Sequence, residues 1–250
     1  MLPALPPEAL LASAAIITLA YGVFGLTGFG AGIVALPLLA QIMPIRFAVP
    51  MILLLDLLAG GLLGLRQRRF VDRGEMLRLL PFAAAGMLVG ATVLAQAPQR
   101  ALLLLLGGFV IAVTVWSLSQ RQPLRPVSPR WAWPAGAVGG VFTAMFGTGG
   151  PLYTAYLARR ITDKHRLRAT IVTLIFVAAI ARLALFLLLG LYAQPGLLVT
   201  AALMAPCALV GLALGGRLHA RLPAPRVLQV VWGLLLVSGC GLILRSTLGA

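Results

Sequence analysis

The chain has 250 residues, of which 61% are hydrophobic and only 10% are charged, and its mean hydropathy is +1.03. Soluble globular proteins carry about 25% charged residues, so this composition excludes a soluble enzyme and indicates an integral membrane protein whose main partner is the lipid bilayer. The formal charge of +15 does not indicate a nucleic-acid partner, because the basic residues lie in short gaps between apolar runs, as in cytoplasmic membrane loops.

Apolar runs, taken in chain order, predict an all-α integral membrane protein with several spans. A single span needs about 20 apolar residues. The first apolar stretch, 9–43, is too long for one span, and glycine and proline interrupt it in the middle. A second interrupted stretch covers 131–158. The predicted single spans are 47–65, 79–97, 101–119, 169–190, 196–216 and 227–247.

The basic residues set the predicted orientation. Sixteen of the twenty fall in four gaps: 66–78, 121–130, 159–168 and 217–226. We expect these gaps to lie in the cytoplasm. The stretch 131–158 would then enter the membrane and return to the same side, as a hairpin of two short helices or as a re-entrant loop. If 9–43 behaves alike, residues 1–8 lie outside.

The two halves of the chain resemble each other. The segment GFGAGIVALPLL (28–39) aligns with GTGGPLYTAYLA (147–158). Each half, 1–120 and 121–250, is thus a glycine-broken helical hairpin followed by three transmembrane helices. Because the first broken stretch ends outside and the second ends inside, the two predicted repeats have inverted topology within one membrane domain. Inverted repeats with matching broken segments are typical of many secondary transporters.

The two interruptions are the candidate binding sites. Glycines let the backbone turn sharply and approach a ligand closely, and a helix that begins after each interruption presents free amides to a small anion. Pro151 suits the first position of such a helix. Close packing of small residues between helices is the alternative. The predicted substrate-binding residues are Thr27, Gly28, Phe29, Gly30, Ala31 and Gly32, and then Gly147, Thr148, Gly149, Gly150, Pro151 and Tyr153.

Two formal charges, Asp56 and Arg182, lie deep inside predicted spans. Buried membrane charges are costly, so they usually pair or carry function. We expect Arg182 to bind the anion through its guanidinium fork and Asp56 to carry a coupled proton. Two alternatives are a direct Asp56–Arg182 ion pair and an Arg182 side chain that extends to the membrane surface.

Signatures of catalysis are missing from the sequence. His165 and His219 lie in separate loops and lack zinc-ligand spacing. An aspartyl mechanism needs two carboxylates, and only Asp56 lies in a span. Cys207 and Cys240 form no metal motif. We therefore expect no enzyme activity, no cofactor and no metal site.

The two glycine-rich segments resemble the sulfite exporter TauE/SafE family, also called the toluene sulfonate uptake permease family. The best matches are GFGAGIVALPLL (28–39) and FGTGGPLYTAYL (146–157), and the resemblance covers nearly the whole chain. The family pattern tends toward G-x-GGG-x-x-x-x-P. Here Ala31 replaces one glycine in the first copy, and Pro151 follows only two adjacent glycines in the second. The resemblance implies transport of sulfite, organosulfonates and related small anions.

These observations together predict a secondary transporter for a small sulfur-containing anion. It would work by alternating access and be coupled to protons or to the membrane potential. The alternative is a passive anion channel or uniporter, because two helix ends would also line a pore. We expect a multi-pass protein of the cell (inner) membrane with basic cytoplasmic loops. The substrate, the direction and the oligomeric state, a homodimer included, stay open.

Overall fold

The structure, a computed structural model, describes residues 6–27, 31–64, 70–119, 126–219 and 224–247. Every regular element within these residues is helical. A short 3-10 helix precedes the sixth α-helix. The α-helices are, in chain order, α1 (Pro7–Thr27), α2 (Gly32–Leu39), α3 (Ile45–Gly64), α4 (Arg73–Gln96), α5 (Gln99–Ser119), α6 (Ala132–Phe146), α7 (Gly150–Leu157), α8 (Lys164–Leu188), α9 (Leu197–His219) and α10 (Ala224–Thr247).

Long apolar helices dominate the described part of the chain. Five of them, which lie in α1, α4, α5, α8 and α9, are long and apolar enough to cross a membrane. A helix also lies at each predicted single span, with its ends displaced by a few residues. The prediction of an all-α membrane protein with several spans is therefore confirmed.

A side-chain cap explains why α8 begins before its apolar run. The Asp163 carboxylate accepts a hydrogen bond of 2.8 Å from the Arg166 amide, which satisfies one of the free donors at the start of the helix. This bond lowers the pKa of the Asp163 carboxyl. The helix therefore starts in the polar loop, ahead of the apolar residues from which the span was predicted.

Each interrupted stretch consists of a longer helix followed by a very short one. The helix α1 has 21 residues and measures about 31 Å, whereas the eight residues of α2 measure about 12 Å. The second stretch pairs the 15 residues of α6 with the eight of α7. A helix of about 12 Å cannot cross a hydrocarbon core of about 30 Å. The short second helices therefore favour a re-entrant loop over a hairpin of two spans. The orientation of the loops stays a prediction.

One compact unit comprises Met1–Asp56, Ala97–Arg121 and Leu191–Ala250. Within it α1 packs against α9, and α5 packs against α10. The α1–α9 contact is close: a Cβ at Gly25 would lie 2.6 Å from the Leu212 carbonyl oxygen. At the end of α10, Arg245 donates hydrogen bonds to the carbonyls of Ala40 (3.0 Å) and Gln41 (2.6 Å). These bonds tie the end of α2 to α10.

The other compact unit comprises Leu57–Gln96 and Gln122–Gly190. In this unit α4 packs against α6 and α8, and α7 packs against α6 and α8. Glycines again line the closest contact, because a Cβ at Gly86, Gly90 or Gly140 would overlap the backbone of the facing helix. A buried apolar cluster, which includes Tyr153 of α7 and Leu174 of α8, joins α7 to its neighbours.

Each compact unit draws helices from both halves of the chain. Counted in order within the predicted repeats, α1 corresponds to α6, and α4 corresponds to α9. The contacts α1–α9 and α4–α6 are therefore equivalent under the predicted repeat, each joining the first helix of one half to a later helix of the other. The division into repeats at 1–120 and 121–250 itself stays a prediction.

Packing of α4 against α6 can be tested at Gly140, where a Cβ would overlap the Ala83 carbonyl oxygen. Because that atom belongs to the backbone, it cannot rotate away. We expect Gly140→Ala to lower the free energy of unfolding by about 1–3 kcal/mol, measured as a lower thermal unfolding midpoint in detergent. The matched control is Gly108→Ala on α5, where a Cβ meets nothing within 4 Å. Equal midpoints for the two variants would contradict the close contact.

Candidate functional site

The second break, residues 147–149 between α6 and α7, is shaped by two glycines. Gly147 ends α6 in the left-handed conformation, with φ of +67°, and its amide donates to the Thr143 carbonyl at 2.8 Å. A Cβ at Gly149 would overlap the Thr143 hydroxyl. The chain can therefore turn sharply here and bring α7 close to α6 only because both positions lack a side chain.

The structure brings Arg182 of α8 to this break. The side chain is buried, with 2% exposure, and its Nε donates to the Ala144 carbonyl at 3.2 Å. The guanidinium carbon lies 5.1 Å from the centre of the Phe186 ring. A Cβ at Gly147 would lie 2.7 Å from Arg182 Nη1. The guanidinium is thus held against the turn where α6 ends.

Several donors at the second break have no hydrogen-bond partner among the described residues. Thr148 is only 2% exposed, and its hydroxyl has no hydrogen-bond partner among the described residues. The Gly149 and Gly150 amides likewise donate to no group in the described ranges. Leaving a buried polar group unpaired costs about 1–3 kcal/mol. Such donors, at a turn that also contacts a buried guanidinium, suit a small anion, and the binding of an anion here stays a prediction.

Tyr153 lies on α7 and contacts α6. Thr143 donates its one hydroxyl proton to the Gly139 carbonyl at 2.7 Å, so Tyr153 must be the donor in the 3.0 Å bond between the two hydroxyls. The Tyr153 hydroxyl proton is therefore used in packing α7 along α6. Its predicted role as a ligand to the anion stays a prediction.

Pro151 is the second residue of α7, one position after the helix start for which the sequence suggested it. Thr154 follows on α7, and its hydroxyl has no partner among the described residues.

The first break lies between α1 and α2. Its residues Gly28, Phe29 and Gly30 lie outside the described residues, and Thr27 is the last residue of α1. Ala31 and Gly32 are buried. The Ala31 carbonyl accepts hydrogen bonds from the Val34 and Ala35 amides of α2. The predicted binding role of these six residues stays a prediction.

Asp56 contacts a tyrosine that the sequence analysis missed. The hydroxyl of Tyr21, on α1, donates to Asp56 Oδ1 at 2.8 Å, and the Tyr21 side chain is fully buried. The sequence feature that could have pointed to this contact was the single tyrosine in the apolar run of α1. Asp56 and Arg182 belong to different compact units, and their direct pairing stays a prediction.

A second acid, Glu75, was treated in the sequence only as part of a charged gap. The structure buries its carboxylate with 6% exposure and surrounds it with Arg78, Tyr156 and Arg160. The sequence feature that could have pointed to Glu75 was an acid at the start of a span, next to a mainly basic loop.

Comparisons with known proteins agree with the resemblance in the sequence. The sulfite exporter TauE/SafE family matches residues 13–242. A protein of Comamonas testosteroni described as the probable inner membrane transporter protein TsaS is 32% identical over 197 residues, which cover 77% of this chain and 81% of that protein. No solved structure matches the chain significantly.

The contact between Arg182 and the second break can be tested at Gly147. Gly147→Ala forces a side chain into the left-handed region, at about 1–2 kcal/mol, and also places a Cβ 2.7 Å from Arg182 Nη1. Gly190→Ala is the matched control, because its φ of +66° is the same but a Cβ there meets nothing within 4 Å. We expect Gly147→Ala to lower the thermal unfolding midpoint more than Gly190→Ala. Equal shifts would contradict the contact.

Proposed function

The chain belongs to the sulfite exporter TauE/SafE family of membrane transporters, and we propose that it moves a small sulfur-containing anion across the cell (inner) membrane. Sulfite and organosulfonates are the substrate class that the family suggests. The inner-membrane location is carried over from the TsaS relative. The proposed mode is secondary transport, in which the two predicted repeats move around a bound anion.

The observation that carries this proposal is the environment of Arg182. A guanidinium with 2% exposure lies against the second break. The same break carries the Thr148 hydroxyl and two backbone amides that bond no described group. A buried guanidinium at a break that also carries hydrogen-bond donors favours an anionic ligand, because an anion can accept hydrogen bonds from both.

The chemistry of a sulfonate or sulfite suits this set of donors. Such a group carries three oxygens that accept hydrogen bonds from several directions. The planar guanidinium can bind two of them side by side, and the Thr148 hydroxyl or the amides at the start of α7 can bind the third. The Arg182 side chain is already held by the Ala144 carbonyl and the Phe186 ring, so binding orders few further groups.

Coupling to protons is assigned to Asp56 in this proposal. Its carboxylate accepts a hydrogen bond from Tyr21 and lies within the predicted span of α3. Protonation removes the cost of moving a negative charge within the membrane. Uptake of a proton at Asp56 together with an anion at Arg182 would let a proton gradient drive accumulation.

Flux in proteoliposomes tests the anion site. We expect purified protein to accumulate sulfite, taurine, sulfoacetate or an aromatic sulfonate when a proton gradient is imposed. Arg182→Gln should weaken the apparent affinity by about tenfold or more, since hydrogen bonds to a charged group contribute roughly 1.5–3 kcal/mol. The control is Arg166→Gln, which removes an exposed guanidinium that pairs with Asp72.

Each outcome of this flux measurement has a distinct meaning. Downhill flux that ignores the gradient would identify a passive channel or uniporter. Equal loss in the two arginine variants would remove Arg182 from the site. Absence of flux for every sulfur anion would contradict the proposed substrate class.

The proton role of Asp56 has its own test. Asp56→Asn keeps an oxygen that accepts the Tyr21 hydrogen bond but cannot gain or lose a proton. We expect it to abolish accumulation driven by the pH gradient while exchange of labelled anion across the membrane continues. Glu8→Gln is the control, because Glu8 is an exposed carboxylate in the first turn of α1. Gradient-driven accumulation that persists in Asp56→Asn would place the coupling elsewhere.

A further inference from the structure

The Glu75 carboxylate, in the first turn of α4, receives four charged or hydroxyl donors. Tyr156 donates to Oε2 at 2.6 Å. Arg78 donates to Oε1 at 2.7 Å, and Arg160 donates to the same oxygen through Nε at 3.1 Å and Nη2 at 2.9 Å. A buried charge is tolerated only when it is paired and hydrogen-bonded in this way.

These bonds join α4 to both ends of the segment that contains α6, the second break and α7. Tyr156 lies in the last turn of α7, and Arg160 follows α7 in the chain. Arg160 also donates through Nη1 to the Val127 carbonyl at 3.2 Å, and Val127 precedes α6. One carboxylate on α4 therefore holds the chain where it approaches α6 and where it leaves α7.

The position of α7 depends on such contacts. A helix of eight residues is not stable by itself, so tertiary contacts must fix its place. Tyr153 fixes its first half through Thr143, and Tyr156 fixes its last turn through Glu75. Because the second break leads directly into α7, any shift of α7 moves the donors of Thr148 and Gly149 relative to Arg182.

We propose that Glu75, acting through Tyr156 and Arg160, is a positioning residue for the anion site at the second break. The inference rests on the proposed function of that break. Glu75 itself does not touch the anion. It keeps α7 at the place where the break donors and the Arg182 guanidinium converge on one ligand.

The neighbouring ion pair supplies a matched control. Asp72 immediately precedes α4 and pairs with Arg166 at 3.1 Å, but Arg166 belongs to α8 and not to α7. Asp72→Asn removes one carboxylate charge at the same end of α4. The asparagine oxygen can still accept the hydrogen bond that the Glu75 amide donates to the Asp72 carboxylate. It leaves the contacts of α7 untouched.

The transport test compares Glu75→Gln with Asp72→Asn in proteoliposomes. We expect Glu75→Gln to raise the KM for the anion about fivefold to tenfold, by misplacing donors, while its thermal unfolding midpoint stays near that of Asp72→Asn. Tyr156→Phe, which removes one bond only, should raise the KM by less. The double variant Glu75→Gln/Arg160→Gln should be no worse than the poorer single variant, because the two residues act as one unit. A KM equal to that of Asp72→Asn would overturn the inference.

A second measurement needs no substrate. Thr148→Cys, in a background without Cys207 and Cys240, reports access to the break through its rate of labelling by a water-soluble thiol reagent. Glu75→Gln should speed this labelling several-fold, whereas Asp72→Asn should not. Ala178→Cys on α8, at a position with 1% exposure in the same unit, should stay slow in both.

The labelling separates failure of this inference from failure of the proposed function. Unchanged labelling of Thr148→Cys in Glu75→Gln would overturn the positioning role, and so would faster labelling of both reporters, which would indicate general loosening of the unit. Wild-type protein without flux would contradict the proposed function alone, and the labelling would still decide the role of Glu75.

Discussion

Where one helix ends and the next begins, backbone carbonyls and amides lose their intrahelical partners, and lipid cannot satisfy them; this constraint organises the second break. Breaks of this kind persist only where protein or a polar cavity surrounds them. Here the Gly147 amide donates a hydrogen bond to the Thr143 carbonyl. The Tyr153 hydroxyl bonds α7 to α6, and the Arg182 guanidinium lies against the turn. The donors that remain, on Thr148 and the start of α7, are the ones available to a ligand. The need to satisfy the backbone and the proposed binding of an anion thus concern the same turn.

Charge in the second compact unit is arranged around the segment that contains α6, the second break and α7. Arg182 lies at its turn, and Glu75 holds its two ends through Tyr156 and Arg160. A buried guanidinium near free donors favours binding, whereas a buried carboxylate surrounded by cations favours rigidity. In the proposed function the two groups have different roles: Arg182 binds the anion, and Glu75 positions α7.

The spans and both breaks could be predicted because they depend on local sequence. Apolar length sets a span, and a glycine cluster followed by a helix start marks a break. The polar partners could not be predicted in this way, since Tyr21 and Asp56 are 35 residues apart and Tyr156 and Glu75 are 81 apart. Only the packing of helices brings such residues together. Hydropathy also gave no means of seeing that α1 is a full-length helix and α2 a very short one, because both are uniformly apolar.

The most direct test of anion binding at the second break is to locate a bound anion in crystals of the protein. A bromine-labelled sulfonate such as 2-bromoethanesulfonate can be found by the anomalous scattering of its bromine. We expect a peak at the second break, with the sulfonate oxygens within hydrogen-bond distance of the Thr148 hydroxyl and the Arg182 guanidinium. Bromine only at exposed arginines, with the second break empty at saturating sulfonate, would contradict it.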